Sequence, residues 1–398
     1  MRGFAAKSLG AITTGVGRRG SMIKQATLIW SKPANPAAIL RAVKWCRNAN
    51  GVTFYAESRA DCAHFAEIIT TLTSHCDIPV CYLTSDPADP ALERTEDLFR
   101  SAYVGSGVIR TWLFQTIDCR VVVMTMPELN LYHLKRSHYP VHYVYLFHAL
   151  NSTHMIYRNR AFDHYDSVLC VGPHHVRELR RSEQLYSTHG KQLIECGYPR
   201  LDRIVRESTR TNVRSTDVVV APTWGPSSFI EKPYGPDVIE AILDAGCTTR
   251  LRLHPMTLRH HPKLPAQLLK RFQRDTRFEL QLDMSETDSL MKAGLMITDW
   301  SGAGLEYFLG TGRPVIFIDL PPKINNPDYA QLGCMPIELL IRNELGTNIS
   351  VGDWRSLTLC IRRAPDVVPG ALEFRRHWVF HNGDSVKAAA DYIRSLVR

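Results

Sequence analysis

Apolar positions along the chain come in short continuous blocks separated by stretches of helical period. The blocks are Val52–Ala56, Pro79–Thr84, Arg120–Thr125, His142–Phe147, Ser167–Val171, Asp217–Pro222, Thr249–Leu253, Phe278–Leu282, Leu295–Thr298 and Val315–Ile318. Each is four to six residues long and rich in β-branched or aromatic side chains, which suits strands buried on both faces. Helical spacing fills Ala38–Arg47, Arg59–Leu72, Pro236–Asp244, Pro265–Arg274, Glu286–Ala293 and Ser385–Val397. In the last of these, Val386, Ala389, Tyr392, Ile393 and Leu396 share one side. Strands alternating with helices predict an α/β fold built on parallel sheets. The alternation breaks at Gly197–Asp202 and resumes at Asp217, so two Rossmann-like domains facing each other across a cleft are expected. The limits read as residues 26–204 for an acceptor half and 205–375 for a nucleotide-donor half. Residues 376–398 form a tail whose helix packs back across the domains.

Length and charge narrow the chemistry. At 398 residues the chain is long enough for two cores, and no apolar run approaches the roughly 20 residues of a membrane span. The net charge of +9 suits phosphate-bearing ligands or an anionic surface, and no nucleic-acid module is recognisable, so nucleic acid is not an expected partner. Ten cysteines with no CxxC pair speak against a zinc site or a disulfide framework and for a reducing compartment. Residues 1–25 carry Arg2, Lys7, Arg18, Arg19 and Lys24 among Phe4, Leu9, Ile12 and Val16, with no acidic residue. That basic arm suits an anionic membrane surface; a loosely docked, solvated arm is the alternative, because its glycines weaken any helix.

The candidate chemistry sits at strand ends. Leu295–Thr298 runs into the turn Asp299–Gly304, then a short helix, Leu305–Leu309, expected to be stopped by Gly310 and Gly312. A helix starting there aims free N–H groups and the positive end of its dipole at the ligand side, where phosphate is the natural guest. Ser301 can cap the helix or donate to a phosphate oxygen, Gly302 and Gly304 allow close approach, and Glu306 lies within reach of a ribose diol. His148 follows its strand directly and can serve as a general base. His254 ends another strand, with Arg252 two residues earlier on the same side; both can neutralise a diphosphate. Thr223 can donate to a phosphate beside Trp224, itself expected to pack as core. Arg200 and Asp202 brace the interdomain turn or face the acceptor. His260 and His261 read as a solvated pair. The chain has no HExxH, Walker lysine, GxGxxG after a first strand, GxSxG or Asp-x-Asp.

Taken in order, Leu146-Phe-His-Ala149, Val171-Gly-Pro173, Gly197-Tyr-Pro-Arg200 with Asp202, Ala221-Pro-Thr-Trp224, Leu253-His-Pro255 and Ile297-Thr-Asp-Trp-Ser301 with Glu306 resemble the CDP-glycerol glycerophosphotransferase family, which makes teichoic-acid-type polymers. A weaker echo lies at Phe380–Ser385. The resemblance implies a GT-B fold and transfer of a glycerol-phosphate-like group from a CDP-linked donor to a hydroxyl of a lipid-linked or polymer acceptor. It implies no cofactor beyond the activated donor, no essential metal, and a cytoplasmic bacterial enzyme peripheral at the inner face of the cell membrane. It makes His148 the base and His254 with Ser301 phosphate contacts; with the reading of the strand ends, His148 and His254 are the expected catalytic residues and Thr223, Arg252, Asp299, Ser301, Gly302 and Glu306 the donor side. Ala149 and Gly302 depart from the family, which usually has Gly and Ser there, so donor pocket or acceptor can differ. A GT-B glycosyltransferase using CMP-Kdo or a UDP-sugar for capsule or O-antigen, a UDP-sugar epimerase, and a non-catalytic nucleotide-binding subunit of a polysaccharide complex are the alternatives.

Overall fold

A computed structural model describes residues 34–132, 134–282, 288–344 and 346–398. The basic arm expected over 1–25 and the first turn of the helix expected from Glu286 lie outside the described residues. The N-terminal lobe runs α1 (Pro36–Asn48), β1 (Val52–Ala56), α2 (Arg59–His75), β2 (Val80–Thr84), β3 (Phe99–Tyr103), α3 (Val108–Thr116), β4 (Val121–Met124), β5 (His142–Leu146), β6 (Ser167–Cys170), α4 (Pro173–Tyr186) and β7 (Gln192–Glu195). Helix α5 (Pro199–Ser208) crosses to the second lobe. There follow β8 (Arg214–Val220), α6 (Gly235–Asp244), β9 (Thr248–Arg252), α7 (Pro255–His260), α8 (Leu264–Arg271), β10 (Phe278–Gln281), α9 (Asp288–Lys292) and β11 (Ala293–Thr298). The chain ends with α10 (Gly302–Thr311), β12 (Val315–Asp319), α11 (Ile337–Glu344), β13 (Thr347–Ser350), α12 (Trp354–Arg363), α13 (Ala371–Trp378) and α14 (Ser385–Val397).

The two sheets are wholly parallel, ordered β3-β2-β1-β4-β5-β6-β7 and β10-β9-β8-β11-β12-β13. Strand order therefore reverses between β1 and β4 in one lobe and between β8 and β11 in the other. Side chains that follow those strands collect in a crevice at each reversal, the place where such sheets bind ligands. Every residue of β1, β2 and β4 is buried, as the continuous apolar blocks require. The edge strands β3, β7 and β13 were not evident in the sequence, because their outward positions are polar: Arg100 in β3, Gln192 and Glu195 in β7, Thr347 and Asn348 in β13. All ten cysteines are free.

Local signals set the helix that opens at the first reversal. Ser58 precedes α2, and Asp61 Oδ2 accepts from the Ser58 amide at 2.9 Å, closing the first turn, a capping arrangement of about 1 kcal/mol. Helix α14 returns to the N-terminal lobe, where Ala389, Ala390 and Ile393 share a core with Val52, Phe54 and Phe65 of β1 and α2. Asp202 of α5 holds the entry to α14 by accepting from the Gly383 and Ser385 amides at 2.8 and 2.9 Å.

Helix α10 is longer than expected and is not stopped by Gly310. It ends at Gly312, whose φ of 71° suits a left-handed cap. Gly310 is interior, because a Cβ there would collide with Ile204 of α5 and meet Leu201 Cδ1 at 3.3 Å. A glycine that reads as a helix stop is in fact room for a neighbouring helix.

Candidate active site

His148 follows β5 and turns into the crevice of the N-terminal lobe. Its Nδ1 is buried without a hydrogen-bond partner. The ring lies edge-on to His64 at 6.1 Å and to Tyr157 at 6.3 Å between centroids. Burial lowers its pKa below the usual histidine value, while the Asp61 carboxylate, the Thr125 backbone and Glu306 oppose the drop. Asp61 is held by three donors: Thr125 Oγ1 at 2.7 Å, the Ser58 amide, and Ser58 Oγ at 3.2 Å. The imidazole is thus neutral near pH 7 and flanked by two carboxylates, one from each lobe. It can take a proton, and both carboxylates stabilise the imidazolium that forms.

Glu306 reaches this pocket from α10. Its Oε1 lies 2.8 Å from the Tyr198 hydroxyl, and its Oε2 accepts from Arg200 Nε at 2.9 Å. The same hydroxyl is 2.8 Å from the His148 carbonyl oxygen, so one proton serves two acceptors. Burial, with Glu306 adding to it, pushes the Tyr198 pKa well above its usual value, so the hydroxyl stays protonated. Tyr198 and Arg200 begin α5, so the interdomain helix latches Glu306 beside the His148 loop. That loop also touches the start of α10: a Cβ on Gly302 would collide with Asn151 Oδ1. The loop after His148 and the start of α10 are therefore in contact.

The donor-side residues gather at the ends of β8, β9 and β11. Asp299, 1% exposed, accepts from the amides of Thr223 at 2.7 Å, Phe229 at 3.0 Å and Trp300 at 2.6 Å. Burial still raises its pKa to about 6. It fixes the β8 loop to the start of α10 and is enclosed rather than open to a ligand. Ser301 caps α10, its Oγ accepting from the Ala303 amide at 3.3 Å. His254 caps α7: Nδ1 accepts from the Met256 amide at 3.1 Å, which puts the ring proton on Nε2. Burial, then the charge of Lys323, lowers the His254 pKa to about 4, so the ring is a neutral donor. Trp224 is half-buried rather than core: its indole lies 6.0 Å from His254 and 6.1 Å from His260, the latter stacked. Lys323 Nζ sits 4.3 Å over that indole and donates to Thr223 Oγ1 at 3.0 Å.

Of the residues the sequence singled out, Thr223, His254, Asp299, Ser301 and Gly302 share one shelf, and Glu306 meets His148 across the cleft. Arg200 belongs to the latch and Asp202 to the anchor of the C-terminal tail. Arg252 is placed otherwise than expected. It is 1% exposed, with Nη1 donating to Ser289 Oγ at 2.6 Å and Gln281 Oε1 at 3.3 Å. Strand β9 ends at Arg252, so the two-residue alternation that put it beside His254 does not extend that far. Asp61, Thr125, Tyr198 and Lys323 were missed. Asp61 had a signal in the Ser58-x-x-Asp61 spacing after the first strand; Lys323 had none, lying in a proline-rich loop. Among the described residues, no group of three His, Cys, Asp or Glu side chains is arranged to hold a metal ion.

Residues 123–320 match the family model of CDP-Glycerol:Poly(glycerophosphate) glycerophosphotransferase. No protein of curated function matches the chain. Among solved structures it resembles a histidine variant of the wall teichoic acid polymerase TagF soaked with CDPG, at 14% identity and a TM-score of 0.54 over 91% of this chain and 92% of that one. It also resembles the UDP-GlcNAc 2-epimerase of Methanocaldococcus jannaschii in complex with UDP-GlcNAc and UDP, at 13% identity and 0.54, over 87% and 99%. At these identities the likeness concerns the fold, which is that of the GT-B enzymes.

Proposed function

The chain belongs to the CDP-glycerol glycerophosphotransferase family, and from that premise we propose that it moves a glycerol-phosphate-like group from a CDP-linked donor to a hydroxyl of a polymer or lipid-linked acceptor. The observation that carries the reading is the meeting of His148 with Glu306 and the start of α10 in one crevice. The acceptor oxygen attacks the donor's outer phosphorus, the bond from that phosphorus to the bridging oxygen breaks, and CMP leaves with the electron pair. His148 takes the acceptor's proton. Ser301, the α10 amides and the His254 Nε2–H receive the charge that collects on phosphate oxygens. The nucleotide is a substrate, and no resident cofactor or metal is part of the mechanism. A peripheral position at an anionic membrane belongs to the same proposal and rests on the basic arm of residues 1–25; among the described residues, no helix is long and apolar enough to cross a membrane.

The test is release of CMP from CDP-glycerol in the presence of acceptor, with UDP-sugars and CMP-Kdo as competing donors. His148→Ala lowers turnover by about two to four orders of magnitude and leaves donor affinity intact. Near-normal turnover in that variant removes His148 as the base, and turnover with a UDP-sugar alone removes the donor assignment.

A further inference from the structure

After β12 the chain leaves the C-terminal lobe as an irregular strap, residues 320–336, and lies against the N-terminal lobe. The amides of Asn325 and Asn326 donate to the Met155 carbonyl at 3.0 and 3.3 Å. Asn325 Nδ2 donates to the Ile156 carbonyl at 2.6 Å and Asn326 Nδ2 to that of His154 at 3.0 Å. His154 Nε2 is in turn 3.1 Å from the Cys334 carbonyl. The strap thus grips the segment that begins six residues after His148. Lys323 sits at the root of the strap, two residues before the first of these contacts.

We propose that Lys323 binds the donor's diphosphate, and that the strap carrying it sets the position of that diphosphate relative to the His148 loop. The proposal rests on the donor being a cytidine diphosphate ester, and it names the group that meets the charge. Lys323 is half-buried on the donor shelf, with its ammonium over Trp224 and against the Thr223 hydroxyl. Among the described residues no carboxylate pairs with it. A partly desolvated cation bonded to a neutral hydroxyl gains much from an arriving anion. The groups that would share that anion are neighbours: Thr223 touches Lys323, the His254 ring lies beside the same indole, and Asp299 ties Thr223 to the residue before Ser301. Burial lowers the Lys323 pKa to about 8, with Asp299 and Glu231 opposing the drop and the neutral His254 ring beside it.

The test is calorimetric titration of the full chain with CDP and with cytidine. Support consists of CDP binding more tightly than cytidine, with Lys323→Met losing about tenfold or more of the CDP affinity and none of the cytidine affinity. Lys323→Arg keeps CDP affinity but loses the weakening above about pH 8 that the wild-type chain has, since a guanidinium stays charged. If Lys323→Met binds CDP as tightly as wild type, the proposal is overturned and the donor assignment stands. If the wild-type chain binds neither CDP nor cytidine, the donor assignment itself fails and takes this proposal with it. For the strap, Asn326→Ala lowers kcat and leaves donor KM unchanged; an unchanged kcat overturns that half.

Discussion

The pair formed by Glu306 and Arg200 gives the strongest quantitative handle on the crevice. The Arg200 side chain is 12% exposed and that of Glu306 11%, with 2.9 Å between Nε and Oε2. Replacing Glu306 by alanine leaves an enclosed guanidinium without its counter-charge and takes an acceptor from Tyr198. Breaking a buried pair from one side costs about 3–5 kcal/mol, and the residual contact with water puts this one near the lower figure. Arg200→Ala leaves the carboxylate with Tyr198 alone and costs a similar amount. Removing both takes away the stranded charge as well, so the double variant should cost about 2 kcal/mol less than the sum of the singles. Urea unfolding monitored by tryptophan fluorescence measures all three, provided that the lobes unfold together, and an unchanged slope checks that. Additive losses, or a Glu306→Ala cost below about 0.5 kcal/mol, would refute the latch. Glu306→Gln keeps the shape and tests the electrostatics. The Glu306 carboxylate favours the protonated ring, so its loss lowers the His148 pKa further, and the acid limb of the rate profile moves to lower pH.

Three further outcomes follow. The wild-type kcat/KM holds above the lowered pKa of His148 and falls as pH drops through it, at a midpoint below 6.5, because only the neutral ring accepts a proton; a midpoint above 6.5 contradicts the burial argument. Gly302→Ala drives a methyl into Asn151 Oδ1 and costs about 1–3 kcal/mol in urea unfolding, and adding Asn151→Ala restores most of it; a silent Gly302→Ala shows that the His148 loop does not rest on α10. Removing residues 1–25 reduces co-sedimentation with anionic vesicles while CMP release with a soluble acceptor is unchanged, and equal sedimentation would take the membrane contact away from that arm.

The parts of this molecule that were legible in its sequence are those where one physical requirement dominates. The inner strands need apolar side chains on both faces, so β1, β2, β4 and β11 stand out as blocks. Edge strands answer to water on one side, and the polar residues of β7 and β13 hide them. The same division runs through the site. His148, His254, Ser301 and Glu306 were candidates because each follows a recognisable strand, and strand ends at a reversal of order are where such sheets bind ligands. Gly310 and Arg252 were misread because their roles depend on partners distant in sequence: Ile204 of α5 for the glycine, Ser289 for the arginine. Lys323 lay hidden for the same reason, since a lysine between prolines and asparagines has the look of a solvated loop. Its meaning comes from Trp224 and Thr223 on one side and the clasp of Asn325 and Asn326 on the other. The strand ends supply the candidate chemistry, then, but the contacts between the two lobes rest on three irregular features: the turn into α5 with Tyr198 and Arg200, the Asn151 contact, and the strap. Each joins the two lobes, so on the proposed reading substitutions there act on the registration of donor with base rather than on either binding site alone.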